Sequence, residues 1–247
     1  MSDWGKGVIN NIGWGSIYDK SNAGETLLKS DLNIDAFIIE VNTANTGVSN
    51  NNQFQFTGAE GDYDVVAKQN GVVIETFNNL SDAATITFAS SGIYDLEVFP
   101  KASNGFNTIE FDNDGDRKKV INLKQWGNIV WSDFQFRGCF NMYYNATDSP
   151  NLTQVSGLTF AFNNCTSANI DARNWDVSGI FSFSGAFDNT GMSTENLTAI
   201  YENWPQLTLQ QNVDIDFGDT QYFGSGQAGR DILINTYNWT ITDGSQV

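Results

Sequence analysis

The chain has 247 residues, with 12 Lys and Arg against 29 Asp and Glu, no His and two Cys, giving a formal charge of −17 and a pI near 4.1. Without imidazole there is no Ser-His-Asp triad, no Cys-His pair and no His-ligated zinc, and two Cys cannot build a Cys₄ metal site or a multi-bridged scaffold. The acidic surplus argues against a surface that grips nucleic-acid phosphates or anionic lipids, and the apolar runs are too short to span a bilayer.

No cofactor, nucleic-acid partner or membrane insertion is therefore expected. Only 17% of residues are charged, and polarity comes instead from neutral side chains, with 30 Asn and 23 Gly. At 40% apolar and 13% aromatic the chain can bury a core.

Residues 1–32 are rich in Gly, Asn and Trp, and Trp4-Gly5-Lys6-Gly7 is echoed shortly afterwards by Trp14-Gly15-Ser16. Gly and Asn favour turns and irregular extended backbone. So short a segment cannot enclose two indoles by itself. Trp4, Gly5, Ile12, Trp14 and Tyr18 are expected to anchor an arm in pockets of another subunit; the plainer alternative is a strap over the chain's own next domain.

Residues 33–111 read as all-β. Alternating or short apolar runs occupy 36–41, 53–57, 63–68, 72–77, 84–88 and 93–99, punctuated by Gly, Asn and Asp. Asn70-Gly71 between two such runs is a two-residue hairpin signal. Strands at this spacing fit an immunoglobulin-like β-sandwich.

Over residues 112–192 a repeat of about 25 residues appears, the length of one solenoid coil. Under this shift Leu152 meets Val177, Val155 meets Ile180, Leu158 meets Phe183, and Ala161-Phe162 meets Ala186-Phe187. A less complete copy ends at Phe136 and Cys139, which precede Phe162 and Cys165 by nearly the same interval. The expected repeat core is Phe136, Cys139, Leu158, Phe162, Cys165, Trp175, Phe183 and Phe187. Stacked coils of this kind share one continuous core.

Residues 193–247 look like a closing cap. Ser193 or Thr194 should N-cap a short helix that runs to Trp204-Pro205. A strand over 213–217, a helix over 226–237 and a last strand over 238–242 complete it.

Three stretches resemble known families. The run Phe136-Arg137-Gly138-Cys139, Ala161-Phe162-Asn163-Asn164-Cys165, Trp175-Asp176-Val177-Ser178 and Ala186-Phe187 resembles BspA-type surface-protein repeats, which are leucine-rich-like. The pair of strands around Ile86 and Tyr94 resembles the end of a PKD-like sandwich. The leader, with Asn10-Asn11-Ile12-Gly13-Trp14-Gly15, is similar to the N-termini of virion proteins from phages of Bacteroidetes hosts, crAss-like phages among them. There are departures: Ala161 and Ala186 stand where the repeats carry Met, and Lys68-Gln69-Asn70-Gly71 replaces the usual PKD hairpin.

Candidate chemistry is sparse. Cys139 and Cys165 fall at one repeat position, so they would lie on adjacent coils as buried thiols, as a disulfide or as a functional thiol; the first is favoured, because free Cys packs as a small apolar group. Asp112-Asn113-Asp114-Gly115-Asp116 resembles the opening of a calcium loop, but no Glu follows where one is required and Arg117-Lys118-Lys119 adjoins it, so a solvated turn between domains is expected. The carboxylate sets Glu60/Asp62/Asp64, Asp214/Asp216 and Asp171/Asp176 could in principle run glycoside chemistry. Trp126, Trp131, Phe181 and Phe183 could offer a sugar platform, though repeat core is the commoner use.

The expectation is a mainly β, non-enzymatic virion protein: an N-terminal extended arm (1–32), an immunoglobulin/PKD-like sandwich (33–111), a short BspA-like solenoid (112–192) and an α/β C-terminal cap (193–247). It would serve as a head fibre, capsid decoration or tail appendage. Residues 1–30 would hold it to other capsid or tail proteins, and it would form homo-oligomers, trimers included. The outer repeat would meet a host-surface glycan or protein. The alternative is a bacterial cell-surface adhesin, which calls for an export signal or wall anchor, and neither is read in the chain.

Overall fold

The computed structural model describes residues 36–101 and 105–247. The protein is mainly β, with two helices near the C-terminus. The first strands are β1 (Phe37–Asn42), β2 (Gln53–Gln55), β3 (Asp62–Gln69), β4 (Val72–Ser81), β5 (Thr85–Thr87) and β6 (Ile93–Pro100). Each starts and ends within a few residues of the run read from the sequence. β3 and β4 join at Asn70-Gly71, both left-handed with φ of 52° and 78°, as a tight hairpin turn requires.

β1, β3, β4 and β6 lie in one six-stranded sheet, side by side in the order β1-β6-β3-β4. β8 (Val120–Gln125) and β10 (Tyr143–Tyr144) come from beyond the expected boundary at residue 111, so the sheet takes strands from both sides of it. β8 pairs antiparallel with β1, matching Ile39 to Leu123 and Val41 to Val120, because these apolar residues cover the open side of a strand whose inner face is fully buried. β2 and β5 pair separately and turn Phe54 and Ile86 onto the same core.

After β6 the chain winds in turns whose neighbours are joined in parallel. β7 (Thr108–Glu110) pairs with β9 (Asp133–Gln135), one repeat interval further along the chain. The ladder continues from Phe136 N–H to Ala161 O (2.7 Å), Leu158 N–H to Ser182 O (2.9 Å), Phe162 N–H to Ala186 O (2.8 Å) and Phe183 N–H to Asp214 O (3.3 Å). It closes where β11 (Asp214–Asp216) pairs in parallel with β12 (Thr240–Thr242).

Beneath the ladder five phenylalanines stack in register. Phe111, Phe136, Phe162, Phe187 and Phe217 follow one another at ring-centroid distances of 6.0, 5.6, 6.1 and 5.5 Å. The last three pairs are within 11° of parallel, an offset-stacked arrangement that adds to simple burial. A left-handed corner recurs once per turn: Asn113, Gly138, Asn164, Asn189 and Gly218 have φ between 55° and 77°. Asn and Gly are the residues that tolerate this conformation at low cost.

Helix α1 (Thr194–Asn203) starts at Ser193, whose Oγ accepts the Asn196 N–H at 3.3 Å, and buries Leu197, Ile200 and Tyr201. Helix α2 (Gln227–Tyr237) ends at a left-handed Asn238 and buries Leu233, while Ile232 faces outward. The buried apolar side chains form one cluster from Phe37 to Trp239, with no break between the sheet and the parallel turns.

Phe162 touches Phe136, Phe187, Trp126 and Trp175 within that cluster. Replacing it with Ala should cost about 3–5 kcal/mol, measured as a lower denaturant midpoint with an unchanged slope.

Candidate functional site

All eight residues expected to form the repeat core are buried: Phe136, Cys139, Leu158, Phe162, Cys165, Trp175, Phe183 and Phe187. The anchoring set Trp4, Gly5, Ile12, Trp14 and Tyr18 lies outside the described residues.

Cys139 and Cys165 are both free and buried. The Cys165 Sγ–H donates to Phe136 O at 3.0 Å. Burial pushes the Cys165 thiol up to about 12 and lifts Cys139 well above the ordinary value. Thiols held protonated and out of solvent are packing groups, since the thiolate is the reactive species.

The solvated turn expected at 112–116 is only half right. Asp112, Asn113 and Asp114 are exposed, and Asp112 pairs with Arg137 at 2.9 Å. Asp116 and Lys119, by contrast, have no exposed surface at all. Lys119 Nζ sits 3.0, 2.8 and 2.9 Å from the carbonyl oxygens of Ser49, Asn50 and Gln53, and 2.6 Å from Ser49 Oγ. The Asp116 carboxylate accepts the N–H groups of Ser49 (3.1 Å) and Gln55 (2.8 Å). The two charges lie 3.6 Å apart.

The lysine ammonium thus fills a carbonyl cage of the type that cations occupy, and the acidic run ends as half of a buried pair. Burial lowers the Lys119 pKa and Asp116 opposes that shift. Gly47 is required alongside, since a Cβ there would come within 2.1 Å of Asp116 Oδ1.

Asp64, Asp171, Asp176 and Asp216 of the carboxylate sets are engaged structurally, while Glu60, Asp62 and Asp214 face solvent. Asp171 pairs with Arg173 at 2.7 Å, and Asp176 Oδ1 accepts the N–H and hydroxyl of Ser178. Asp216 accepts the Gly218 N–H at 2.7 Å, across from a buried Ile215. Asp64 pairs with Lys101 at 2.9 Å. Of the four possible platform rings, Trp126, Trp131 and Phe183 are fully buried and only Phe181 is exposed.

Comparison of the chain with protein-family models, with curated proteins and with solved structures finds no match. The site must therefore be read from its own geometry.

Two features escaped the sequence. Phe160 is left-handed at φ 56°, an unusual state for a bulky residue. Its ring lies against Gly185, where a Cβ would sit 2.6 Å from it, and the Arg137 guanidinium covers it at 4.3 Å. Gly185 follows Phe160 by one repeat interval, and that spacing is a legible signal.

The second feature is an open polar cavity of about 370 Å³ lined by Gln125, Gly127, Asn128, Thr147, Asp148 and Ser149. Asp148 is fixed there by the N–H groups of Trp126 (3.0 and 3.1 Å) and Gly127 (2.9 Å). Nothing in the spacing of 125–128 and 147–149 marks it beforehand.

Carboxylates also gather at the first turn. Burial raises the pKa of Glu110, with Asp133, Glu60 and Asp112 adding like-charge repulsion, and burial raises Asp133 as well.

Two outcomes follow from these groups. Lys119→Met leaves Asp116 buried without its counter-charge and should cost about 3–5 kcal/mol in chemical denaturation. Glu110 with a raised folded-state pKa stabilises below the ordinary Glu value and loses that contribution as pH rises through the folded value. Glu110→Gln should therefore raise the melting temperature at neutral pH, and the gain should vanish in acid.

Proposed function

We propose that this is a non-enzymatic structural protein of a bacteriophage particle, a head fibre, capsid decoration or tail appendage, that works by shape and attachment. The observation carrying this reading is the in-register phenylalanine ladder, with left-handed corners and parallel hydrogen bonds that recur once per turn. Such a ladder is what a short solenoid of the BspA-like class needs. The six-stranded sheet, with the β2–β5 ladder packed over it, would serve as the PKD-like spacer.

Three further points support an inert displayed module. The potentially reactive groups hold the structure together: two buried thiols, a buried Lys–Asp pair and locally bonded carboxylates. The turns present Asn, Ser and Thr outward, side chains suited to contact with neutral glycans. The acid surplus keeps densely arrayed copies apart. Residues 1–30, with Trp4 and Trp14, would be the anchor.

The test is particle incorporation. The intact chain should be found in purified particles. A chain lacking residues 1–30 should be lost from them while keeping its far-ultraviolet circular dichroism. Incorporation of the shortened chain at the intact level would overturn the anchoring role.

A further inference from the structure

One end of the six-stranded sheet differs from the rest of this acidic chain. Three segments meet there: residues 43–53, the β3–β4 hairpin at 69–74, and residues 88–94 leading into β6. Thr43 N–H donates to Gly92 O at 2.9 Å, and Gly92 N–H donates back to Thr43 Oγ1 at 3.0 Å. Gln69 reaches Ile93 O at 3.5 Å, and Gln69 is the register partner of Val72.

None of these three segments contains a charged residue. They expose Val48 (62%), Val72 (65%), Val73 (39%), Ile74 (46%) and Ile93 (48%). All five are β-branched aliphatic side chains that face water at this end of the sheet. The β3–β4 register steps from Ala67↔Glu75 to Lys68↔Val73, so Ile74 is the extra residue of a bulge and its side chain is thrust outward.

The surface is also held in shape. The 43–53 segment hangs from the buried Lys119 and Asp116, which bind Ser49, Asn50 and Gln53 without bringing charge to the surface. Of the flanking charges, Lys68 pairs with Glu97 and Lys124 with Glu40 and Asp95, while Glu75 is exposed just beyond Ile74. Exposed apolar patches of this kind mark interaction sites.

We infer that this uncharged end is a self-association surface that meets the same surface of a second copy across a twofold axis. Charge selects that occupant. Two chains of −17 repel wherever their acidic faces approach. At this end the contact segments themselves carry no carboxylate, and Glu75 lies at their rim. A basic partner would gain nothing here and would seek the acidic faces. An isologous contact needs one patch only, self-complementary, and the aliphatic tip supplies it. The inference concerns the protein in solution and does not rest on residence in a particle.

The test is the mass of the intact chain by sedimentation and native mass spectrometry from micromolar to millimolar concentration. A dimer is expected that strengthens as salt is added, because screening removes the repulsion and leaves the apolar contact. Val72→Glu on the hairpin and Val48→Glu in the loop should each shift the equilibrium to monomer with unchanged circular dichroism. Phe181→Glu, which alters an equally exposed ring on the parallel turns, should leave the dimer intact. A chain monomeric throughout, a dimer dissolved by salt, a trimer, or a dimer indifferent to both Val variants would each overturn the inference.

Discussion

Each parallel turn must reverse direction directly above the reversal before it, and the rest of the structure depends on this constraint. If one corner slipped by a residue, every inward side chain of that turn would face outward. The corner is held by a left-handed residue: Asn113, Gly138, Asn164, Asn189 and Gly218 occupy it in succession. Asn also bonds sideways, as where Asn189 donates to Asn164 and Asn164 to Asn163, both at 2.7 Å. The phenylalanine lies just before the corner, and its ring finds the ring below at the right height. Among the described residues, seven of the ten left-handed non-Gly residues are Asn.

A different device secures the sheet end. The loop at 43–53 has many carbonyls and few apolar anchors, so it needs something to gather it. The buried Lys119 does so with its ammonium, and Asp116 balances the charge while taking two N–H groups. Buried ion pairs often stabilise no better than apolar replacements. Here the pair satisfies backbone groups that an apolar side chain would leave unbonded, and so fixes one loop conformation.

Much of this was legible. β3 alternates cleanly because one of its faces is buried, and Asn70-Gly71 announced the hairpin that follows it. The repeat interval was visible because core positions recur with the corners. Ser193 marked the helix start by its capping hydroxyl. Other parts were hidden for physical reasons. β8 joins β1 across a long stretch of intervening chain, and only its apolar inner face hints at that. Asp116 and Lys119 read as solvent-facing because isolated charges usually are. Of the ladder's outer members, Phe217 lies 30 residues after Phe187, where an insertion breaks the interval, and Phe111 keeps the 25-residue spacing to Phe136 but falls just before the stretch in which the repeat was read.

The sheet order also governs how the chain can be made. β1 is near the middle of the sheet yet comes first among the described strands. Its two neighbours are β6 and β8, so during synthesis one side of β1 stays open until residue 125 has emerged, and β8 in turn waits for residue 144. Such long-range closure is slow, and the unfinished strand edge is adhesive while it lasts. The nascent chain must therefore pass through a half-built sheet that already includes its longest strand. Crowded translation of many copies would make that interval the most vulnerable one in the protein's life.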